Sequence, residues 1–184
     1  MDFFEPIEFL QLKKREDFLD YLPHYSFCIK LGCYSGVFSQ HIITKTHPKK
    51  FYLVDSYRKF NSETIYSICG IEELDKENCV IFVVDNENFI SDMKNGIFDW
   101  VYVDTIFEYN RMLLELNLLK KKIKREGWIC GYNYIQNRDD KNFGICRAIT
   151  EWLYNNEDFE LYMLDNHTQW AIRRKIRNEN FSVQ

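Results

Sequence analysis

Short apolar runs and helical patterns alternate along this chain, and that alternation limits the folds open to it more than any other feature. The runs at 27–31, 50–55, 79–85, 99–104 and 127–134 are apolar on both faces. Strands of that kind are buried on both sides, as in a parallel sheet. Between them the spacing predicts helices. Val37, Phe38, His41 and Ile42 mark one, a region over 63–74 a second, and a short stretch over 87–94 a third. A longer helix carries Met112, Leu113, Leu116, Leu119 and Ile123 on one face. Ile145, Ala148, Ile149, Trp152 and Leu153 then fall at i, i+3, i+4, i+7 and i+8. Parallel strands need such crossovers, so the class is α/β, a doubly wound, mostly parallel sheet with helices on both faces. "FELYML" (159–164) and "QWAIRR" (169–174) lie four residues apart and predict a C-terminal hairpin that adds one antiparallel strand. Residues 7–22 predict a helix stopped by Pro23.

A chain of 184 residues is long enough for one buried core, so 1–184 is read as a single domain. Its parts are an N-terminal helical segment (1–24), the α/β core (25–174) and a tail (175–184). A net charge of −4 argues against a nucleic-acid partner. The basic runs "KKKIKRE" and "RRKIR" read as solvated ends of a helix and a strand, the first where cations suit a helix C-terminus. No apolar run approaches membrane-spanning length, and no targeting segment is read at the N-terminus, so no membrane partner is expected. The six cysteines show neither C-x-x-C nor zinc spacing and read as reduced core thiols of a cytoplasmic protein. Homo-oligomerisation stays open.

In a sheet of this type ligands bind at the carboxyl ends of the strands. Three runs end in aspartate there, Asp55, Asp85 and Asp104, and the first ends in Gly32. Each aspartate alone is a common turn former or helix cap; three on one edge beside a glycine loop point to a site. In "CIKLGCYSGVFSQHI" two of only seven glycines stand four residues apart. Gly32 lets the chain turn off the strand, and Gly36 lets the next helix begin close to a ligand. Asp55 follows Gly32 by 23 residues, where a carboxylate can accept both ribose hydroxyls of a nucleoside. The dinucleotide fingerprint G-x-G-x-x-G is absent.

These motifs together resemble the class I S-adenosylmethionine-dependent methyltransferases, of the small bacterial and viral type associated with sugar or glycan O-methylation. The resemblance covers roughly residues 25–174. "KLGCYSGVFS" is similar to the cofactor loop, "FYLVDSY" to the ribose-binding strand end, "VVDNENF" to the adenine segment, "DWVYVD" to the fourth-strand motif, and "FGICRAITEW" and "TQWAIRR" to the late helix and last strand. It implies a Rossmann-like, seven-stranded methyltransferase fold and S-adenosyl-L-methionine as cofactor. It implies cofactor contacts at Gly32, Tyr34, Ser35, Gly36, Asp55, Ser56, Asp85, Asn86 and Asp104. It also implies transfer to a sugar, glycan or other small hydroxyl acceptor.

Three positions depart from the family. Lys30 stands where an acid usually helps hold the amino end of the cofactor, Phe107 where a histidine is frequent, and Asn133 where an aspartate is common. A hydroxyl acceptor must lose its proton, so a base is useful; Asp104 is the first candidate and His167, in the terminal hairpin loop, the second. Asp104 and Asn133 could supply two oxygen ligands to a divalent cation, but Tyr134 follows where relatives place another, so no metal is expected. Lys30, Phe107 and Asn133 keep open the alternative of a methyltransferase-like binding or structural module that has lost catalysis. Aromatic residues at the same edge, Tyr34, Tyr57, Phe107, Tyr109, Tyr132 and Tyr134, suit either stacking on a ligand or capping the core.

Overall fold

The computed structural model describes residues 7–8, 12–33, 35–56, 62–68, 70, 77–105, 108–134, 143–164 and 168–176. Its strands are β1 (Ile7–Glu8), β2 (Phe27–Leu31), β3 (Lys50–Val54), β4 (Cys79–Phe82), β5 (Phe98–Val103), β6 (Ile123–Gly131), β7 (Phe159–Met163) and β8 (Trp170–Arg174). Its helices are α1 (Val37–Thr46), α2 (Ser62–Ile68), α3 (Asn86–Asp92), α4 (Tyr109–Lys122) and α5 (Phe143–Tyr154), preceded by a 3-10 helix at Arg15–Tyr21. The strands form one sheet in the order β1-β7-β8-β6-β5-β2-β3-β4. All neighbours are parallel except β8, which runs antiparallel to both β6 and β7. Seven of these strands, β2 to β8, are the expected doubly wound sheet with its C-terminal hairpin.

The N-terminal helix predicted over 7–22 is corrected. Ile7–Glu8 pairs with β7 as a short edge strand, and of the described residues in that span only Arg15–Tyr21 is helical, as a short 3-10 helix. Residues 9–11 lie outside the described part. The open edge of β7 offers unpaired backbone groups that a neighbouring segment satisfies, and local helical spacing cannot outweigh that.

Each sheet face has its own core. On one face the 3-10 helix, α1 and α2 lay Phe18, Leu19, Ile42 and Ile65 over Cys28, Phe51, Trp100 and Tyr102. On the other, α3, α4 and α5 cover Ile29, Val101, Val103 and Ile129. The predicted stripe of α5 is fully inside, from Ile145 to Leu153, and each large side chain buried there contributes about 1.5–3 kcal/mol. Phe98 and Val101 both face this core where the β5–β6 pairing is irregular: from Phe98↔Ile123 to Trp100↔Trp128, β5 advances two residues while β6 advances five. The site-bearing ends stay level, since Leu31 pairs with both Val54 and Val103, and Val103 with Gly131.

Candidate functional site

Level strand ends bring Gly32, Asp55, Asp104 and Tyr132 to one edge of the sheet, each the first residue beyond its strand. Gly32 has φ +89 and its N–H donates to Val54 O at 2.7 Å. A Cβ at Gly32 would lie 2.2 Å from the carbonyl oxygen of Asp104. The glycine therefore serves two needs, the left-handed turn and the close passage of the β5 exit. Gly36, φ +77, is the N-cap of α1, and its carbonyl accepts the first turn's bond from Gln40 N at 3.0 Å. The Asp55 carboxylate reaches back to the glycine loop and accepts from Cys33 N–H at 2.5 Å. Ser56 follows it half-buried, and Ser35 is exposed in the turn before α1. Asp85 occupies the N-cap position of α3. Tyr34, Tyr57, Phe107 and His167 lie outside the described residues.

Asn86 is placed differently from the ligand contact expected of it. It is buried, and its amide nitrogen donates inward to Glu115 Oε1 at 2.8 Å. Glu115, on α4, is itself fully buried; Thr105 Oγ1 donates to its other oxygen at 3.1 Å, and Arg111 approaches at 3.4 Å. Burial pushes the Glu115 carboxyl above its ordinary range, and Asn86 and Arg111 only partly offset this. The group joins the exits of β4 and β5 behind the edge. The helical spacing alone could have found it: Met112, Glu115, Leu116 and Leu119 form one stripe, and a carboxylate in a core stripe requires partners.

The densest polar cluster lies on the opposite face, at the β2 and β5 ends. Lys30, which stands where the family usually has an acid, is fully buried. Its ammonium donates to Gly32 O and meets Asp104 Oδ2 at 3.0 Å. Arg15 Nη2 reaches the same oxygen at 2.8 Å, and Arg15 Nε donates to Tyr102 OH at 2.9 Å. Tyr102 OH donates in turn to Gln169 Oε1 at 2.9 Å. The guanidinium carbon stands 4.0 Å from the ring centre of Phe38, 4.7 Å from that of Tyr132 and 5.0 Å from that of Tyr102, contacts worth about 0.5–2 kcal/mol each. Burial pushes the Asp104 carboxyl up, but Lys30 and Arg15 outweigh it and hold it below the usual carboxylate range. Asp104 is thus a fixed anion between two cations, which weakens it as the proton acceptor expected from its motif. Arg15 was not legible as part of a site, because no spacing ties it to the later motifs.

Asn133, a candidate metal ligand, adopts a left-handed φ of 63 just beyond β6, and Tyr134 is buried rather than open at the edge. Among the described residues no group of three or more His, Cys, Asp or Glu side chains could hold a metal ion. Among them, too, no helix is long and apolar enough to cross a membrane.

No protein-family model matches the sequence. No curated protein matches it either. Solved structures do match the fold. One is a protein from Corynebacterium glutamicum, with TM-score 0.70 at 10% identity over 94% of this chain and 85% of that one. A second is the O-methyltransferase TomG from Streptomyces achromogenes, solved in complex with SAM, with TM-score 0.63 at 13% identity over 86% of this chain and 78% of that one. A third is the tRNA (m1A58) methyltransferase TrmI from Aquifex aeolicus, with TM-score 0.60 at 12% identity over 94% and 73%. The chain has the Rossmann-like fold of methyltransferases.

Proposed function

We propose that the protein is an S-adenosylmethionine-dependent methyltransferase acting on a hydroxyl group of a sugar, glycan or other small molecule. The observation that carries this reading is the Asp55 carboxylate, drawn to the glycine loop through Cys33 N–H at the end of the strand next to β2. A carboxylate there, beside a loop with two left-handed glycines, has the chemistry to accept ribose hydroxyls. The neighbours' fold supports the same donor. The donor would supply an electrophilic methyl carbon. The chain's own part is to hold the nucleoside on Asp55 and align an acceptor at the edge in a water-poor pocket. Asp104 serves in this reading to fix Lys30 and Arg15 rather than to take a proton, so deprotonation of the acceptor falls to another group. Five described cysteines are buried thiols, which supports a reducing, cytoplasmic setting.

Calorimetric titration with S-adenosylhomocysteine tests the site. Asp55→Ala should weaken binding by about 1.5–3 kcal/mol, the range for a hydrogen bond to a charged group. Unchanged affinity in that variant would sink the placement. The alternative reading is a binding module without catalysis, with which the two cations on Asp104 are compatible. It would be established by tight cofactor binding without methyl transfer to any hydroxyl acceptor tried.

A further inference from the structure

Strand order sets what lies on either side of a nucleoside held at this edge. β4, β3, β2 and β5 are successive neighbours, so Asp55 has Asp85 on one side and the glycine loop and Asp104 on the other. A nucleoside with its ribose on Asp55 and its base toward α3 must send its 5′ substituent across β2 toward β5. There it meets Arg15 and Asp104, with the ammonium of Lys30 buried behind them. Lys30 is buried and cannot turn its ammonium to solvent. Arg15 keeps a quarter of its side chain exposed, and among the described residues nothing hydrogen-bonds to its Nη1. Its guanidinium is fixed between the rings of Phe38 and Tyr132, and its 3-10 helix is anchored by the buried Phe18 and Leu19. A cation held so firmly does not step aside for another. An uncompensated positive charge at a partly desolvated edge attracts an anion and penalises a second cation.

We propose that Arg15, backed by the buried charge of Lys30, forms a subsite for an anion at the end of the nucleoside's 5′ substituent. The inference rests on the methyl-donor reading for the nucleoside and deepens it: the amino-acid end is gripped through its carboxylate, and its ammonium is left to solvent. Two sources share the required chemistry, an adenosine with an amino-acid carboxylate on its 5′ arm and an adenosine 5′-phosphate.

The test is calorimetric titration of the full chain, wild type and Arg15→Met, with five probes. These are S-adenosylhomocysteine, its deaminated analogue, its decarboxylated analogue, 5′-methylthioadenosine and adenosine 5′-monophosphate. Removing the amino group should change affinity by less than about threefold. Removing the carboxylate should weaken it by about tenfold to a hundredfold, the effect of losing hydrogen bonds between charged groups. Arg15→Met keeps the packing against the rings and should shrink that gap at least fivefold. A decarboxylated analogue that binds as well as the parent overturns the inference while leaving the nucleoside site intact. So does an Arg15→Met variant that binds the parent more tightly, because Arg15 would then be a plug in a cation site. Monophosphate binding more tightly than S-adenosylhomocysteine upholds the anion subsite and overturns the methyl donor. If none of the five probes binds at millimolar concentration, both readings fall.

Discussion

Lys30 and Asp104 depend on each other more than two strand-end residues need to. Lys30 is fully buried, and its charged partner is Asp104 at 3.0 Å. Asp104→Asn would leave the ammonium in the interior with the Gly32 carbonyl and a nearby guanidinium of like charge. Breaking a buried pair from one side costs about 3–5 kcal/mol, whereas removing both charges costs far less. Urea unfolding should show a large loss for Asp104→Asn and a substantial recovery in Lys30→Met/Asp104→Asn. Additive losses in the double variant would mean that the pair is not coupled. The same burial makes Lys30→Glu damaging: on an exposed rim that substitution would be harmless, but here it sets two carboxylates against each other. The sequence exposed Lys30 as the departure in its motif. It did not expose Arg15, because a contact between a 3-10 turn and the exit of β5 leaves no periodic trace. Nor did it show that Asn86 would turn inward, since Asp-Asn at a strand end reads alike whether the amide faces a ligand or a buried glutamate.

Among the elements, the sheet was legible because its strands carry their own signal, apolar on both faces and closed by Asp or Gly. The N-terminal segment was not. Phe18, Leu19 and Leu22 fit a helical stripe and are indeed buried, but spacing cannot distinguish a short 3-10 helix from a long α-helix, nor foresee that the edge of β7 claims Ile7 and Glu8. The lysine run in the last turn of α4 was also only half readable. Lys122 is buried and donates to Ser91 O at 3.0 Å and Met93 O at 2.5 Å, so it closes the end of α3 instead of facing water. The join between β6 and β8 yields a sharper test. A Cβ at Gly131 would stand 2.4 Å from Trp170 Cζ2 and 2.8 Å from Val103 O, hemmed by both neighbouring strands. Trp170 is fully buried and cannot retreat into solvent. Gly131→Ala should therefore cost about 1–3 kcal/mol, the penalty for overpacking a core. Denaturant midpoints measure it, and a loss below about 0.5 kcal/mol would show that the indole shifts freely.

At the scale of the whole molecule, two mostly buried carboxyls make stability depend on pH in opposite senses. Asp104 is held below its ordinary range by Lys30 and Arg15. Its contribution is present above the unfolded-state value and is lost as pH falls through its depressed folded-state value. Glu115 is shifted the other way by burial. Its neutral form suits the interior, so between the ordinary value and its raised one the folded chain binds more protons than the unfolded chain. Stability due to Glu115 is therefore full below the ordinary glutamate range and falls as pH rises through its raised value. Many other groups titrate in the same interval, so the total curve cannot assign either effect. The difference between wild type and Glu115→Gln can. The substituted amide keeps an oxygen for the Asn86 side chain and removes the ionisation. Measured by urea unfolding from pH 4 to 8, the variant should gain on wild type as pH rises above about 4.5 and level off once Glu115 is fully charged. Arg111, 3.4 Å away and one-fifth exposed, limits the gain by stabilising the charged form. A difference that does not vary with pH would mean that α4 tolerates the buried charge, and that Asn86, Thr105 and Arg111 together replace the water that Glu115 has lost.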